Sequence, residues 1–515
     1  MSYTNWFILF AIIQFIHGIG TWKLYKKANQ KYWAAFIPLY NAYILMKIIG
    51  RKWWLIFLLF FPVINVLMLI VIWVETVRSF GKNSYLDTFL AVISLGFYSY
   101  YLNYFSDVKY IENRSLNPKS SSGEWTNSII FAIIAATFVH NYIMQPYTIP
   151  TSSLEKSLLV GDFLFVSKFH YGARVPMTTL AAPMVHDTIH FINKKSYSTK
   201  LELPYLRLPG FQKIKNNDIV VFNWPVDTMA NMFYTDKYYY KPIDKKTNYV
   251  KRCVAIAGDT LQIKDGIVYI NGYKNELSDR ADLQFSYLVQ PKNRNFNKKA
   301  LVNNYGITDP FGFFGVKYQD TYMFTAISDN TIDRFRNHPN VASITKNLAK
   351  AGERDPNIFP RDPRFKWNID QFGPIYIPKS GQTISLSKEN IPLYKRVIDV
   401  YEDKDLKVVG DNIFIDGQMV NEYTFEQDYY WLMGDNRHNS QDSRSWGFVP
   451  FDHVVGKPVF KWMSWNTNGN GINKIRWDRM FTTVHGEGKP MSFFLPFIII
   501  LGAYYGIKKW KKRTN

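Results

Sequence analysis

The chain has 515 residues, with 62 lysines and arginines against 41 aspartates and glutamates, which gives a formal net charge of +21. Hydrophobic residues make up 47% and charged residues 20% of the chain, values that exclude a disordered, collagen-like or coiled-coil protein. The basic excess fits either a nucleic-acid binder or a protein that lies against anionic lipid. Cys253 is the single cysteine, so an intramolecular disulfide and a cysteine zinc cluster are excluded, and we expect it to be a small buried residue.

Five long apolar segments favour a membrane protein over a nucleic-acid binder. A membrane-spanning helix needs about 20 mostly apolar residues, so the first and last of five candidate segments are marginal in length. A sixth apolar patch, residues 32–49, contains Pro38 and Asn41, and we expect it to be interfacial or re-entrant. The five candidate segments are residues 6–20, 53–74, 86–104, 128–144 and 493–507.

The lysines and arginines between these segments predict the orientation. Basic loops stay in the cytoplasm, and the loop after the first segment is strongly basic. Alternation over five spans then places residues 145–491 outside and the basic C-terminal tail inside. We therefore expect a multi-pass protein of the cytoplasmic (inner) membrane, with a large soluble region on the outer or periplasmic face. The basic residues of the first loop are Lys23, Lys26, Lys27, Lys31, Lys47, Arg51 and Lys52.

The soluble region is predicted to be mainly β. From residue 162 onward, short β-branched and aromatic runs alternate with Gly, Asn and Asp, as in strands joined by turns. Residues 279–388 have Pro-rich and Asn-rich loops and one expected helix at 331–350, which favours a β-rich inserted second domain. The predicted parts are an N-terminal multi-spanning membrane region (1–126), a transmembrane helix (127–147), a β core in two parts (148–278 and 389–490), the insertion (279–388) and a C-terminal transmembrane helix with a basic cytoplasmic tail (491–515).

Three clusters of polar residues stand out from the strand pattern. The first, IPTSSLEKSLLVGDF, begins at Ile149, directly after the fourth apolar segment. The second, YVKRCVAIAGDT, places Lys251 in an apolar strand beside Arg252. Burial and a neighbouring cation both lower the pKa of a lysine, which makes it a usable general base. The third, MGDNRHNSQDSRSWGFVP from Met433, is dense in short polar side chains and suits a hydrogen-bonded platform.

At these clusters the chain resembles the bacterial type I signal peptidases, serine proteases with a Ser/Lys dyad. Their serine motif, P-[ST]-x-S-M-x-P-T-L, is similar to residues 150–158, and their Tyr-apolar-Lys-Arg…Gly-Asp run is similar to residues 249–259. Their motif GDNRxNSxDSRxWGxVP is nearly complete in residues 434–450, and NDIVVFNWP from Asn217 resembles an intervening strand. The resemblance covers roughly residues 145–458 without the insertion and implies a signal-peptidase or LexA-like β fold for the catalytic core.

The resemblance implies a membrane-bound serine endopeptidase that removes N-terminal signal peptides from exported preproteins at small-x-small sites. Ser153 would be the nucleophile and Lys251 the general base. The Ser153 N–H and the Thr151 hydroxyl would stabilise the oxyanion, and Ser440 would orient Lys251. The implied supports of the loop that carries Ser440 are Asp435, Arg437, Asp442 and Arg444, with an ion pair between the last two. The implied walls of the substrate site are Tyr147, Ile149, Leu158, Tyr249 and Val250.

A lysine base needs no metal or nucleotide, and the nine histidines show no metal-ligand spacing, so we expect no cofactor. The expected partners are secretory preproteins with their signal peptides and the lipid bilayer, with the protein-translocation machinery as a further candidate and no nucleic acid. The chain departs from the family pattern at three places: Leu154 replaces the usual Met, Glu155-Lys156 replaces a Met-Pro-like pair, and His438 replaces Asp. An aspartate at 438 would be expected to pair with an arginine of the same loop, Arg437 or Arg444.

Alternatives remain at both positions of the dyad. Ser152 competes with Ser153, and the register with Pro150 favours Ser153. Lys395, in PLYKRVIDV, competes with Lys251, and the Gly-Asp pair at 258–259 favours Lys251. Two other classes of protein are a LexA-like self-cleaving cytoplasmic regulator, which the membrane segments disfavour, and an inactive membrane scaffold, which the presence of both Ser and Lys disfavours.

Overall fold

The computed structural model describes residues 2–118, 120–189, 191–229, 238–293, 296–313 and 321–514. The chain divides into two compact units. The first unit consists of Met1–Ile143, Ala173–Leu208 and Tyr240–Lys246, and the second of Met144–Gly172, Pro209–Tyr239 and Thr247–Asn515.

Helices and strands are numbered along the whole chain. The helices are α1 (Tyr3–Lys27), α2 (Tyr40–Ile48), α3 (Ile64–Ser79), α4 (Tyr85–Ile93), α5 (Tyr98–Tyr104), α6 (Ser121–Phe138), α7 (Lys298–Ala300), α8 (Asp329–Arg336), α9 (Ile391–Arg396), α10 (Ser443–Trp446) and α11 (Phe494–Thr514). The strands are β1 (Met144–Thr148), β2 (Asp162–Ser167), β3 (Thr188–Ile189), β4 (Lys194–Lys195), β5 (Ile219–Asn223), β6 (Asn248–Ala255), β7 (Thr260–Lys264), β8 (Ile267–Ile270), β9 (Tyr273–Lys274), β10 (Gln284–Pro291), β11 (Phe311–Phe313), β12 (Tyr322–Ser328), β13 (Val341–Lys346), β14 (Phe372–Tyr376), β15 (Thr383–Ser385), β16 (Leu406–Val409), β17 (Asn412–Ile415), β18 (Gln418–Val420), β19 (Glu422–Thr424), β20 (Tyr429–Met433), β21 (Val449–Pro450), β22 (Val454–Ser464) and β23 (Thr482–Thr483).

The first unit contains the N-terminal helices α1–α6. Two helices in the described residues are long and apolar enough to cross a membrane by length and composition, Tyr3–Lys27 and Ser121–Ile143. The second of these is α6 extended by a π-helical turn over Val139–Ile143. The prediction of about five spanning helices is therefore wrong, although the predicted N-terminal helical region exists.

Each of the other three segments is too short as a continuous apolar helix. Residues 53–74 are broken after Pro62, where Val63 has a left-handed φ of 69°, and α3 beyond it has 16 residues, about 24 Å against a hydrocarbon core of about 30 Å. Residues 86–104 form the short helices α4 and α5, separated by Leu95 and Gly96 with positive φ. In α11, lysines follow Ile507, so its apolar part is about 21 Å long.

A second part of the first unit comes from residues that the sequence analysis placed in the β core. Ala173 and Val175 pack with Ile64 and Tyr142 of the N-terminal region. The indole N–H of Trp6, in α1, donates to the Glu202 carbonyl at 2.9 Å. Residues 173–208, which include the β3–β4 hairpin, thus belong to the same compact unit as the helices. No sequence motif marks this association.

The second unit contains the predicted mainly β region, which is confirmed. Its largest sheet has eight strands in the order β1-β2-β22-β5-β6-β20-β21, with β23 also paired to β22. Strands β5 and β6 are antiparallel, and Val220 lies opposite Lys251. All five residues of β5 are buried, which explains its continuous apolar sequence in place of strict alternation. A large apolar cluster around Trp431 and Phe448 packs beside this sheet.

Residues of the predicted insertion form a separate antiparallel sheet, β11-β12-β10-β13, with its own apolar cluster around Phe324 and Phe335. The boundaries 279–388 stay a prediction, and β14, within them, pairs with β7 of another sheet. The helix predicted at 331–350 is wrong beyond its first turns. It ends at Arg336, and β13 follows, because Pro339 disfavours the helical conformation in the residue before it.

Candidate active site

Ser153 and Lys251 meet beside β6, an inner strand of the eight-stranded sheet. Ser153 lies in a short 3-10 helix, Ser152–Leu154, and Lys251 projects from β6. The Lys251 Nζ is 2.6 Å from the Ser153 Oγ, within hydrogen-bond distance, although the two residues are 98 positions apart. Ser153 is 8% and Lys251 3% exposed. The Ser153 hydroxyl and the Lys251 amine are thus placed together and shielded from water.

Burial makes Lys251 suitable as a base. It lowers the pKa of Lys251 to about 8, against the opposing effects of Asp442 and Asp435, while the nearby Arg444 lowers it further. The repelling cation is therefore Arg444, and the sequence-based assignment of that effect to Arg252 is wrong. The Arg252 guanidinium is instead paired with Asp435.

This shift predicts how activity depends on pH. The reactive form of Lys251 is neutral, so kcat/KM is expected to be low below the pKa, to rise through pH about 8 and to stay high in alkaline solution. An unperturbed lysine, with a pKa near 10.4, would place the same rise more than two pH units higher. A pH–rate profile of kcat/KM on a short peptide substrate measures the midpoint.

Lys461 provides a matched control for this profile. Burial also lowers the pKa of Lys461 to about 8, and this lysine lies on β22. Lys461→Met should leave the midpoint of the profile in place, because its titration is not coupled to the reacting atoms. A midpoint near 10, or one that disappears in Lys461→Met, would contradict the assignment of the acid limb to Lys251.

Two buried ion pairs support the loop after β20. Arg252 forms a bidentate pair with the fully buried Asp435, at 2.7 and 2.6 Å, and Ser157 Oγ donates to the same carboxylate at 2.5 Å. Burial raises the pKa of Asp435, but the opposing effect of Arg252 is decisive and the pKa is lowered. Because Ser157 belongs to the segment after the nucleophile, this pair ties that segment to β6.

The second ion pair closes the loop on itself. Arg444 binds Asp442 with two hydrogen bonds, at 2.9 and 2.8 Å, and donates to the Arg437 carbonyl at 2.6 Å. The Asp442 carboxylate also accepts the Gly434 N–H at 3.0 Å. A side chain at 434 would have its Cβ only 2.6 Å from the Ser153 carbonyl oxygen, so glycine is required for this close approach.

The predicted orienting residues are less directly engaged. Ser440 Oγ is buried and has no hydrogen-bond partner in the structure, so it does not form the predicted contact with Lys251. Thr151 is exposed and extended, immediately before the 3-10 helix. Ser152 Oγ, the competing nucleophile, accepts a hydrogen bond from the Asn439 amide at 3.2 Å. The roles of Thr151 and Ser440 stay predictions.

The predicted substrate walls fall into separate groups. Ile149 and Leu158 share an apolar cluster with Val250, which also packs near Tyr147 in a neighbouring cluster. Tyr249 instead packs its ring against Trp224 and Trp446, with centroids 5.3 and 5.6 Å away. The remaining competitor for the base, Lys395, is exposed on the last turn of α9. Lys395 therefore lacks the burial that Lys251 has.

His438 is engaged elsewhere than the sequence suggests. Its Nδ1 accepts the Ser286 N–H at 2.8 Å, and its Nε2 is 2.7 Å from the Asp370 carboxylate. The pairing with Arg437 or Arg444 that is expected for an aspartate at this position stays a prediction. An aspartate there would face Asp370, so two carboxylates would repel each other. Both ring nitrogens of His438 are thus engaged in hydrogen bonds.

Several residues around the site were not predicted from the sequence. Asn436 bridges the nucleophile turn to Asp309, and Arg479 binds Asp162 beyond the end of the recognised motifs. Asn436 lies inside a recognised motif, and its burial could have been suspected, whereas nothing local in the sequence marks Asp309 or Arg479. In the described residues, no three His, Cys, Asp or Glu side chains converge as a metal site would need.

Comparisons with known proteins identify the family of the chain. The sequence model of the family "Signal peptidase, peptidase S26" matches residues 122–326 and 365–465, more than half of the chain, and a family of unknown function, DUF5684, matches residues 33–113. The Signal peptidase I of Buchnera aphidicola subsp. Acyrthosiphon pisum is 23% identical over 391 residues, covering 73% of this chain and 90% of the relative.

Two further relatives show the same extent of similarity. The Signal peptidase I of Helicobacter pylori is 24% identical over 376 residues, with 71% of this chain and 92% of the relative covered. That of Haemophilus influenzae is 23% identical over 393 residues, with coverages of 72% and 79%. The chain therefore belongs to the bacterial type I signal peptidases, peptidase family S26, and is a serine endopeptidase.

Proposed function

We propose that this protein cleaves signal peptides from exported preproteins at small-x-small sites, on the outer face of the cytoplasmic membrane. The observation that carries the proposal is the buried contact of 2.6 Å between Ser153 Oγ and Lys251 Nζ. The names of the relatives, Signal peptidase I, support the choice of substrate.

The proposed reaction follows an acyl-enzyme path. Ser153 Oγ attacks the scissile carbonyl carbon while neutral Lys251 takes the hydroxyl proton. The ammonium then gives that proton to the leaving amine as the C–N bond breaks. Lys251, again neutral, removes a proton from a water that attacks the ester, and Ser153 is regenerated when the proton returns to it. The same lysine serves as base and acid in both halves of the reaction.

The oxyanion of each tetrahedral intermediate needs hydrogen-bond donors. We propose the Ser153 N–H and the Thr151 hydroxyl, which flank the turn that carries the nucleophile. One donor of this kind contributes about 3 kcal/mol to lowering a barrier. Ser440 is then proposed as an orienting residue for Lys251, because its buried hydroxyl has no hydrogen-bond partner in the structure.

An extended substrate fits beside the edge of the main sheet. Strand β1 stands at that edge, paired on one side with β2, and it leads directly to the nucleophile turn. A peptide added there forms main-chain hydrogen bonds as a further strand. Ile149, Leu158 and Val250, together in one apolar cluster, offer shallow apolar contacts suited to small side chains before the cut.

Cleavage of a defined preprotein tests the function. The purified full chain should cut a preprotein with Ala at positions −3 and −1, and mass spectrometry should place the cut after the second Ala. A preprotein with Trp at −1 is the matched control and should remain uncut. Cleavage at other positions, or equal cleavage of both substrates, would refute the proposed specificity.

The orientation of the protein is also a proposal. The basic loop from Lys23 to Lys52 indicates a cytoplasmic location, and the two candidate spans Tyr3–Lys27 and Ser121–Ile143 flank it. Both Met1 and the catalytic region from Met144 onward then face outside. We propose preproteins and the bilayer as partners on that face, with the translocation machinery as a source of substrate.

Cysteine labelling in intact cells checks the orientation. The native Cys253 is fully buried, so it provides a silent background. Asp411→Cys, on an exposed loop of the catalytic region, should react with a membrane-impermeant maleimide. Lys31→Cys, in the basic loop, should react only after the membrane is permeabilised. The reverse pattern would overturn the proposed topology.

A further inference from the structure

The separate sheet β11-β12-β10-β13 is here called the inserted sheet. It contacts the loop after β20 through backbone hydrogen bonds. The Gln284 N–H donates to the Asp435 carbonyl at 3.0 Å, and the Arg437 N–H donates to the Gln284 carbonyl at 2.8 Å. The loop after β20 is thus held on both sides of Asn436 by the first residue of β10. These contacts place the inserted sheet within one residue of the groups that hold the nucleophile turn.

Asn436 connects the nucleophile turn with the segment between β10 and β11. It is fully buried, and its backbone N–H donates to the Ser153 carbonyl at 3.1 Å. Its side-chain amide donates to the Ser152 carbonyl at 3.2 Å and to the Asp309 carboxylate at 2.7 Å. Asp309, itself 8% exposed, is therefore one side chain away from the nucleophile residue.

Lys156 makes a second connection to the same segment. Its Nζ donates to the Gly306 carbonyl at 2.5 Å. Its backbone has a left-handed φ of 73°, which is unfavourable for a residue with a Cβ. Lys156 comes three residues after Ser153, so this bond helps to hold the turn in a conformation that the backbone alone disfavours.

The contacts coincide with two of the places where the chain departs from its family pattern. Lys156 binds Gly306, and the neighbouring Glu155 is 5% exposed, with a pKa that burial raises and that Asp309 raises further. His438 accepts the Ser286 N–H of β10. Residues of the inserted sheet and its loops thus contact the rest of the chain at two positions where the sequence departs from the family pattern.

We propose that the inserted sheet positions the nucleophile, with Asp309 acting through Asn436 and Gly306 acting through Lys156. In this arrangement Asp309 is a positioning residue. It keeps Ser153 Oγ within hydrogen-bond distance of Lys251 Nζ. The inference rests on the proposed function, because it requires Ser153 and Lys251 to be the reacting pair. A misplacement of about 1 Å at a reacting atom costs up to about 100-fold in rate.

Kinetics of Asp309 variants of the full chain test this inference. Asp309→Ala removes the acceptor for the Asn436 amide and should lower kcat by about tenfold or more on the Ala-x-Ala preprotein, with KM within about twofold. Asp309→Asn keeps a carbonyl oxygen that accepts the same hydrogen bond, so it should restore most of kcat. Asp333→Ala, an exposed carboxylate on α8, is the matched control and should retain wild-type kcat.

Lys156→Met gives an independent removal of the second contact if Asp309→Ala does not fold. It should also lower kcat at unchanged KM. An unchanged kcat in either folded variant, or a loss that Asp309→Asn does not restore, would overturn the positioning role. Failure of the proposed function is distinguishable, because Ser153→Ala would then still cleave the preprotein, whatever the Asp309 variants do.

Discussion

Ser153→Ala and Lys251→Ala are each expected to lower kcat/KM for preprotein cleavage by about 10³-fold or more. The first removes the atom that attacks the carbonyl, and the second removes the group that takes its proton. Their side chains are 2.6 Å apart and buried, so no water replaces either partner without rearrangement. Cleavage of the Ala-x-Ala preprotein, followed by gel and mass spectrometry, measures the loss.

The double variant separates a dyad from two independent contributions. Residues that act as one unit give losses that do not add, so Ser153→Ala/Lys251→Ala should be no slower than either single variant. Lys395→Ala, the exposed competitor on α9, should keep nearly full activity. Loss of activity in Lys395→Ala together with strong activity in Lys251→Ala would transfer the base to Lys395.

The sequence predicted the contact between Ser153 and Lys251 better than the architecture of the membrane region. Ser153 and Lys251 each lie in a local motif for which the resemblance implied a reactive residue, and the strand pattern from residue 162 indicated the sheet that brings them together. Lys251 becomes buried because β6 lies between β5 and β20 in that sheet. Motif and periodicity therefore agree on the same two side chains, which is why family resemblance and residue chemistry led to one site.

The membrane region shows what apolar composition cannot predict. Residues 53–74 have the length and hydropathy of a spanning helix, yet the chain turns at Val63, directly after Pro62. Proline lacks the N–H that a continuous helix needs and clashes with the preceding turn. One residue, Pro62, signalled this turn, but the segment was judged by its average hydropathy. At residues 32–49 the same signal was used, because Pro38 was taken as an interruption there, and Leu39 after it has a positive φ of 66°.

Polar contacts between residues far apart in the chain could not be predicted from the sequence, for a different reason. Asn436 and Asp309 are 127 residues apart, and Arg479 and Asp162 are 317 apart. Neither Asp309 nor Arg479 lies in a recognised motif, so only the fold identifies their partners. The role assigned in advance to Arg252 failed likewise, because its partner Asp435 is 183 residues away and neutralises the charge that was expected to act on Lys251.

The buried pair of Arg252 and Asp435 predicts a large effect on stability. Asp435→Ala leaves the Arg252 guanidinium, 4% exposed, without its carboxylate, and breaking a buried pair in this way costs about 3–5 kcal/mol. Urea unfolding of the detergent-solubilised protein, followed by tryptophan fluorescence, measures the loss. The fully buried Trp431, on the strand that precedes Asp435, lies well placed to report it.

A charge-free replacement and an exposed pair serve as controls for this prediction. Removing both charges in Arg252→Met/Asp435→Leu should recover part of the stability, because no unpaired buried charge remains. Asp362→Ala, which breaks the exposed pair with Arg364, should leave the unfolding midpoint almost unchanged. A double variant as unstable as Asp435→Ala would show that packing, and not the unpaired charge, causes the loss.

Acid titration gives the same pair a second signature. The pKa of Asp435 is lowered in the folded protein, so its carboxylate contributes stability that is fully present above the unfolded value of about 4. That contribution is lost as the pH falls through the lower folded value, because the folded state must then take up a proton that the unfolded state already holds. Wild type should therefore lose more stability than Asp435→Ala between pH 5 and the acid limit of about pH 2. Parallel stability curves for the two proteins over this range would mean that the Asp435 charge does not stabilise the fold.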